Sequence, residues 1–473
     1  MSTAGEPDTI AGTDEERAAA NRRQRFGQGF LDGISHGWAE RPDIVPPACP
    51  SVPHTAARRA SVSAAFPGAR VVVPAGSLKE RSNDTDYPFR AHSAFAHLTG
   101  WGADAEPDSV LVLDPRPGGA HQATLYFRER ADRTTHEFYA DATVGEFWIG
   151  PRPSASAVAA ELGIDTAPVD AFARGADDLV VGEHPDLTRF VSEMRLVKDE
   201  YEVAQLKLAV EATARGFDDI VRDLPRIAAH PRGERIVEGL FHQRARTDGN
   251  SVGYDTIAAS GPHACYLHWT RNDGRVIPGD LILIDAGVEV DSLYTADITR
   301  TLPINGRFSD VQRRVYEAVR EAADAAFAAA RPGARFREVH EAAMSVIAER
   351  VADWGLLPVT AQEALDADLG GHHRRYMVHG TSHHLGLDVH DCAQARREMY
   401  YDGVLEPGMV FTIEPGLYFQ IDDLTVPIEY RGIGVRIEDD ILMGTDAPVN
   451  LSAGIPRTAD EVEAWIARLR ESA

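Results

Sequence analysis

The sequence predicts an α+β protein of two domains, a smaller α/β unit followed by a larger one that mixes long helices with antiparallel strands. Three observations carry that expectation. The 473 residues exceed what one hydrophobic core usually supports. Strand-like runs with helical stretches between them fill the region up to about residue 190. From about residue 196 a long amphipathic pattern opens a region where helix clusters alternate with paired strand patterns. With 44% hydrophobic and 26% charged residues, the composition excludes a fibrous or wholly disordered chain.

Taken in order, residues 1–50 read as an N-terminal extension: a helical pattern over 14–31, then RPDIVPPACPSVP, whose prolines cannot continue a helix. From Arg58 a short helical stretch leads to the strand ARVVVPAG. SVLVLDP near Leu111 and the alternating ATLYFRER are two more strands, and 51–195 forms the first domain. The segment LVKDEYEVAQLKLAVEATARGFDDIVRDL sets Leu206, Val210 and Phe217 at helical spacing behind an acidic first turn, and the boundary falls just before it. Residues 196–473 make the second domain. Its helices are expected over 309–330, 336–353 and 458–471, the last opening on Thr458 and Glu461 at capping-box spacing. Its strands are expected over 280–289, 293–302, 409–419 and 432–443.

Charge and cysteine usage narrow the function classes. Lys and Arg total 48 against 73 Asp and Glu, a net charge of -25, which repels nucleic acid. Apolar runs such as 281–284 are strand-length, so no membrane span is expected. The polar, acidic N-terminus does not read as a signal peptide, and Cys49, Cys265 and Cys392 are odd in number and widely spaced. Both features suit a reducing cytoplasm.

The chemistry concentrates in the second domain. GDLILIDAGVEVDSLYTADITRTLP reads as two strand-like runs, each with an aspartate in an apolar setting. A hairpin centred near Asp291 sets Asp285 and Asp297 directly opposite on one face, where two like charges destabilise the sheet unless a cation lies between them. A shifted register with one aspartate exposed is the alternative. Glu414 ends an apolar strand at a Pro-Gly turn, and Arg436 and Glu438, two apart, share a strand face. Buried carboxylates are costly unless paired or metal-bound, and a simple Arg436–Glu438 salt bridge is the competing reading. VHGTSHHLGLDVHD adds His379, His383, His384 and His390, a dense polar cluster among small residues. HExxH and HxxEH are absent, which disfavours a single-zinc protease. Four carboxylates and an imidazole favour hard ions such as manganese. Two such ions about 3.5–4 Å apart activate water and polarise a carbonyl together, which reads as hydrolysis.

These residues carry a resemblance. YLHWTRND, LILIDAGVEVDSLYTADITRTLPING, VHGTSHHLGLDVHD, LEPGMVFTIEPGLYF and YRGIGVRIEDDILM lie in the order found in the pita-bread peptidases, a group that includes aminopeptidase P, prolidase and methionine aminopeptidase. RSNDTDYPFRAHSAFAHLTGW resembles the N-terminal domain of aminopeptidase P, which methionine aminopeptidase lacks. The resemblance implies a C-terminal pita-bread catalytic domain and removal of an N-terminal residue that precedes proline, by a hydroxide bridging two divalent metals. It makes Asp285, Asp297, His383, Glu414 and Glu438 the ligands, with Asp297 and Glu438 shared by both ions. Glu414 would move the proton, His390 would stabilise the charge on the scissile carbonyl, and His268 would orient the peptide. His379, Tyr418 and Arg436 would flank the pocket for the proline ring. The family also implies a homodimer or homotetramer acting on peptides with proline second. Ala96 departs from the family, which often has an aromatic there, and predicts a pocket that is more open or differently lined. Prolidase, which shares the ligands but takes only Xaa-Pro dipeptides, is the nearest rival. Creatinase lacks the ligands, and a non-catalytic peptide-binding member would have lost some of them.

Overall fold

The computed structural model describes residues 26–83 and 85–471. Most of the helix expected over 14–31 lies outside the described residues; a short helix, Gln28–Ile34, occupies its end. Helix α1 (Val52–Ala65) begins ahead of Arg58, with Pro53 in its first turn, where the missing N–H costs nothing. Strands β1 (Val71–Pro74), β2 (Val110–Pro115) and β3 (His121–Phe127) follow the three expected runs. With β4 (Asp165–Pro168) and β5 (Leu179–Val180) they form one sheet in the order β4-β3-β2-β1-β5. The inner pairs are antiparallel and the outer pairs parallel. Helix α2 (Ser93–Thr99) is buried along its whole length, and Phe95 packs on Trp101 with ring centroids 6.5 Å apart.

Helix α3 (Glu200–Ala229) opens on a capping box between Asp199 and Glu202 and buries Leu206, Val210 and Phe217 as the spacing requires. Helix α4 (Gly233–Asp248) follows. Its apolar stripe is thin, Val237, Phe241 and Ala245 at intervals of four, and it did not stand out in the sequence pattern. The two helices cross where Gly216 meets Phe241; a Cβ there would approach the ring to 2.7 Å. Helices α5 (Asp310–Ala329), α6 (Phe336–Asp353) and α7 (Ala459–Glu471) match the expected spans, and the Thr458–Glu461 box is formed. One apolar core runs from Val62 to Leu469.

The strands that position the site are β6 (Ser251–Val252), β7 (Ile257–Ser260), β8 (Leu281–Ala286), β9 (Val288–Glu289) and β10 (Ile298–Pro303), with β11 (Val410–Ile413), β12 (Gly416–Tyr418), β13 (Gly434–Arg436), β14 (Asp439–Met443) and β15 (Pro448–Asn450). They pair antiparallel as β10-β8-β7, β11-β14-β15, β12-β13 and β9-β6. Two expectations are corrected here. Asp285 stands opposite Thr299 and not Asp297. The connection is not a tight hairpin, because it contains β9, which pairs with β6, and Leu293 at a φ of 70°. Asp297 therefore lies two residues along from Asp285's partner, on the same face, as a diagonal neighbour. The strands expected over 409–419 and 432–443 are each interrupted, at Glu414–Pro415 and at Ile437–Glu438. Pro415 has no N–H to continue a ladder.

On the opposite face of β10, Arg300 is fully buried and joins the break at Ile437–Glu438 and the 455–456 segment to the sheet. Its guanidinium donates to the carbonyls of Thr299 (2.9 Å), Glu438 (2.7 Å), Ile455 (3.1 Å) and Pro456 (2.8 Å) and to the Asp439 carboxylate (2.7 Å). Replacing Arg300 by Met leaves Asp439 with Arg457 as its remaining ion-pair partner and removes the guanidinium from four carbonyls. The expected loss is about 3–5 kcal/mol of unfolding free energy, read from urea denaturation. A loss below about 1 kcal/mol would show that Arg300 does not hold these segments together.

Candidate metal centre

The diagonal aspartates, the two strand breaks and the histidine-rich loop open into one cavity of about 580 Å³. Asp285, Asp297, His383, Glu414 and Glu438 all line it, together with His268, His379, His390 and Arg436. Tyr418 stands just behind the wall, 4% exposed. Ala96 is buried in α2 and is not on the wall of this cavity. A cavity of about 650 Å³ lies behind β11 and β14, but its acid Asp439 is already paired with Arg300 and Arg457.

Within the site the acids crowd together. The Tyr254 hydroxyl lies 2.6 Å from a carboxylate oxygen of Asp285 and 2.6 Å from one of Asp297, so a single proton serves two acids. Glu438 accepts from the Thr299 hydroxyl at 2.6 Å. Asp297, His383 and Glu438 offer ligand atoms that all fall within 4.8 Å of one another. The competing salt bridge between Arg436 and Glu438 is not what forms: the guanidinium pairs with Asp285 and donates to Thr299 at 3.1 Å and Tyr418 at 3.2 Å.

The electrostatics follow from burial. Desolvation pushes Asp285 up, against the pull of Arg436. It pushes Glu414 up to about 7, against His383 and Arg436, and it pushes Glu438 well up with the help of Asp297 and Glu414. Burial alone would lower His383, but its bond to Asp297 and the charge of Glu414 outweigh it and raise it to about 9. A proton on His383 thus stands where cationic charge is wanted. His379 goes the other way, to about 3, through burial and the nearby Arg436. It is neutral, with Nδ1 against the Gly380 carbonyl at 2.6 Å and Nε2 accepting from Tyr418 at 2.8 Å.

The donor set fits a metal. Nδ1 of His383 faces the His384 carbonyl at 3.2 Å, which leaves Nε2 pointing at Asp297 (3.2 Å) and Glu414 (3.6 Å). That is the usual disposition of a ligating imidazole, tied through its other nitrogen to a backbone carbonyl. The raised carboxyl groups supply the reason for a cation, since like charges this close cannot all ionise without one.

Tyr254, Thr299 and Asp440 belong to the site and were not singled out in the sequence. Asp440 is fully buried and accepts from the Asp297 backbone N–H at 3.2 Å. Its acidic neighbour in the IEDD run was a usable signal. Tyr254, in a glycine-flanked stretch outside any periodic pattern, offered none.

Comparison with known proteins agrees with this geometry. Residues 204–445 match the model of metallopeptidase family M24, and residues 55–185 match that of the aminopeptidase P N-terminal domain. The chain is 51% identical over 465 residues to Xaa-Pro aminopeptidase 1 of Streptomyces coelicolor, covering 93% of this chain and 92% of that one. It resembles the structure of Escherichia coli aminopeptidase P with the inhibitor Pro-Leu, at 31% identity and a TM-score of 0.76, covering 90% of this chain and 100% of that one. The zinc-substituted E. coli enzyme in complex with product gives 30% identity and a TM-score of 0.76, with coverage of 89% and 100%. The chain therefore belongs to metallopeptidase family M24 and carries an aminopeptidase P N-terminal domain.

Proposed function

We propose that this chain is an Xaa-Pro aminopeptidase, a metal-dependent hydrolase that removes an N-terminal residue preceding proline. The observation that carries this reading is the convergence of Asp285, Asp297, His383, Glu414 and Glu438 on one cavity beside His268, His379 and His390. Its relatives of the same length, named Xaa-Pro aminopeptidases, support the proline specificity.

In this reading Asp285, Asp297, His383, Glu414 and Glu438 would hold two divalent ions. The oxygen-rich donor set favours manganese. When bound, such ions supply Lewis acidity to the scissile carbonyl and acidify a water. The residues of the chain do the rest. Glu414, half-buried and at the strand break, accepts the proton of the attacking water and passes it to the leaving proline nitrogen. His390, whose ring packs edge-on to His383 with centroids 4.3 Å apart, faces the carbonyl oxygen as charge grows on it. His268 on the opposite wall orients the peptide. The neutral His379, held by Tyr418 and backed by Arg436, shapes the ring pocket. An Xaa-Pro bond has no N–H, so this pocket selects ring shape and needs no acceptor for that position.

Three cysteines without disulfides support a reducing compartment, the cytoplasm. Among the described residues no helix is long and apolar enough to cross a membrane. Leu424 and Ile428, 81% and 79% exposed, support burial against another copy in a homodimer or homotetramer. The substrates are peptides with proline second, and the net charge of -25 disfavours nucleic acid.

The direct test incubates chelator-stripped protein with Xaa-Pro-Yaa and with Xaa-Pro, with and without manganese. Manganese-dependent release of the first residue from the tripeptide is expected. Cleavage of the dipeptide alone would make the protein a prolidase, and cleavage of neither would end the proline assignment. Asp297→Ala is expected to lose bound metal, measured by elemental analysis, and at least about a thousandfold in kcat/KM while still folding. Wild-type turnover in that variant would remove Asp297 from the site.

A pH dependence follows as well. Glu414 titrates near 7 in the metal-free fold against an ordinary 4.5. Its contribution to stability is present below about pH 4.5 and is lost as pH rises towards 7. A bound cation replaces the missing protons, so the rise in unfolding midpoint on adding manganese should be larger at about pH 7.5 than at about pH 5. Scanning fluorimetry at both pH values checks this; an equal rise at both contradicts it.

A further inference from the structure

One buried carboxylate lies away from the metal ligands and has no part in the chemistry above. Glu234 sits in the first turn of α4 and is fully buried. It accepts four hydrogen bonds. One oxygen takes the Ser260 backbone N–H and His263 Nδ1, both at 2.8 Å. The other takes Trp269 Nε1 at 2.9 Å and the Gly274 backbone N–H at 2.6 Å. All four donors belong to the segment 260–274, two on each side of His268. That segment also places Leu267 and Thr270 on the cavity wall.

The surroundings are built for this arrangement. His263 stacks on Trp269 with centroids 3.9 Å apart, so two of the donors are held by each other. Gly274 admits the carboxylate, because a Cβ there would come within 2.7 Å of it. Gly434 in β13 admits the segment from the other side, since its Cβ would meet the Ala264 backbone at 2.4 Å. Asn272, at a φ of 47° and 1% exposed, ties the far end to β7 by accepting from Ala258 N–H and donating to the Thr256 carbonyl, both at 2.9 Å.

We propose that Glu234 is a positioning residue for catalysis: its carboxylate closes the 260–274 segment into a rigid loop and fixes His268 against the bound peptide. A carboxylate is required because all four partners donate and it alone among side chains of this size only accepts. The proposal rests on the Xaa-Pro aminopeptidase reading of the cavity, and Glu234 acts through the loop without touching substrate.

A double-mutant cycle tests it with manganese-loaded enzyme and Xaa-Pro-Yaa. Glu234→Gln puts an amide donor against the loop's donors and is expected to lower kcat/KM roughly ten- to a hundredfold with metal content unchanged. In the His268→Ala background the same change is expected to cost less than about threefold, because the residue it positions is already gone. Trp269→Phe removes one donor only and is expected to act in the same direction with a smaller loss, which keeps the test open if Glu234→Gln fails to fold. Multiplicative losses, equal in both backgrounds, would overturn the positioning role and leave the aminopeptidase assignment standing. A wild-type enzyme that leaves the tripeptide uncut would overturn both.

Discussion

Four carboxylates meet at the ends of apolar strands of this protein, and the rest of the second half of the chain is arranged around the repulsion between them. Two unit charges 4 Å apart repel by about 4 kcal/mol at an effective dielectric of 20. Asp285, Asp297, Glu414 and Glu438 form several such pairs. Among the described residues, Arg436 on Asp285 and a proton on His383 answer that charge. The raised Glu414 and Glu438 are the measure of what remains unbalanced. A structure that keeps such a cluster needs divalent cations to complete it.

The fold brings the acids together by ending strands at them. Asp285 is next to last in β8, Asp297 precedes β10, Glu414 follows β11 and Glu438 precedes β14. At a strand end the backbone leaves the ladder and the side chain can turn toward a centre, which a residue in mid-strand cannot do. Pro415 enforces one such break, and Arg300 secures the other by binding the Glu438 carbonyl and the Asp439 side chain from behind. Alternation along β14 separates the roles of neighbours: Asp439 pairs with Arg300 and Arg457, while Asp440 turns back to the Asp297 backbone.

This division explains what the sequence made legible. The four carboxylates stood out because polar residues in apolar runs violate the local pattern, His383 was separated from its neighbouring histidines only by the family resemblance, and the helices α5, α6 and α7 stood out because their periodicity is strong. The register between Asp285 and Asp297 did not, since it depends on β9 leaving to pair with β6, a contact 36 residues or more away in sequence. Both strand breaks were read as continuous for the same reason: a hydrophobic run does not record where its ladder changes partners. Tyr254, Thr299 and Glu234 were invisible because nothing in their neighbourhoods is unusual; what marks them is the set of groups that tertiary packing brings to them.

The first half of the chain is tied to the site by charge as much as by packing. Lys198 and Arg195, just ahead of α3, pair with Asp391 at 3.1 and 3.0 Å, next to His390 in the chain. Arg90 bonds the Leu387 carbonyl and Glu289, and Ser93 donates to Asp388 at 2.5 Å. Buried pairs of this kind contribute little net stability compared with apolar residues of the same size, but separating one leaves an uncompensated charge in a dry place. The Asp391 and Lys198 side chains are 1% and 0% exposed, so moving the 387–391 segment away would leave both charges buried and unpaired. The segment that carries His390 is thereby held against both halves of the chain, which orders it in advance for the role proposed for His390.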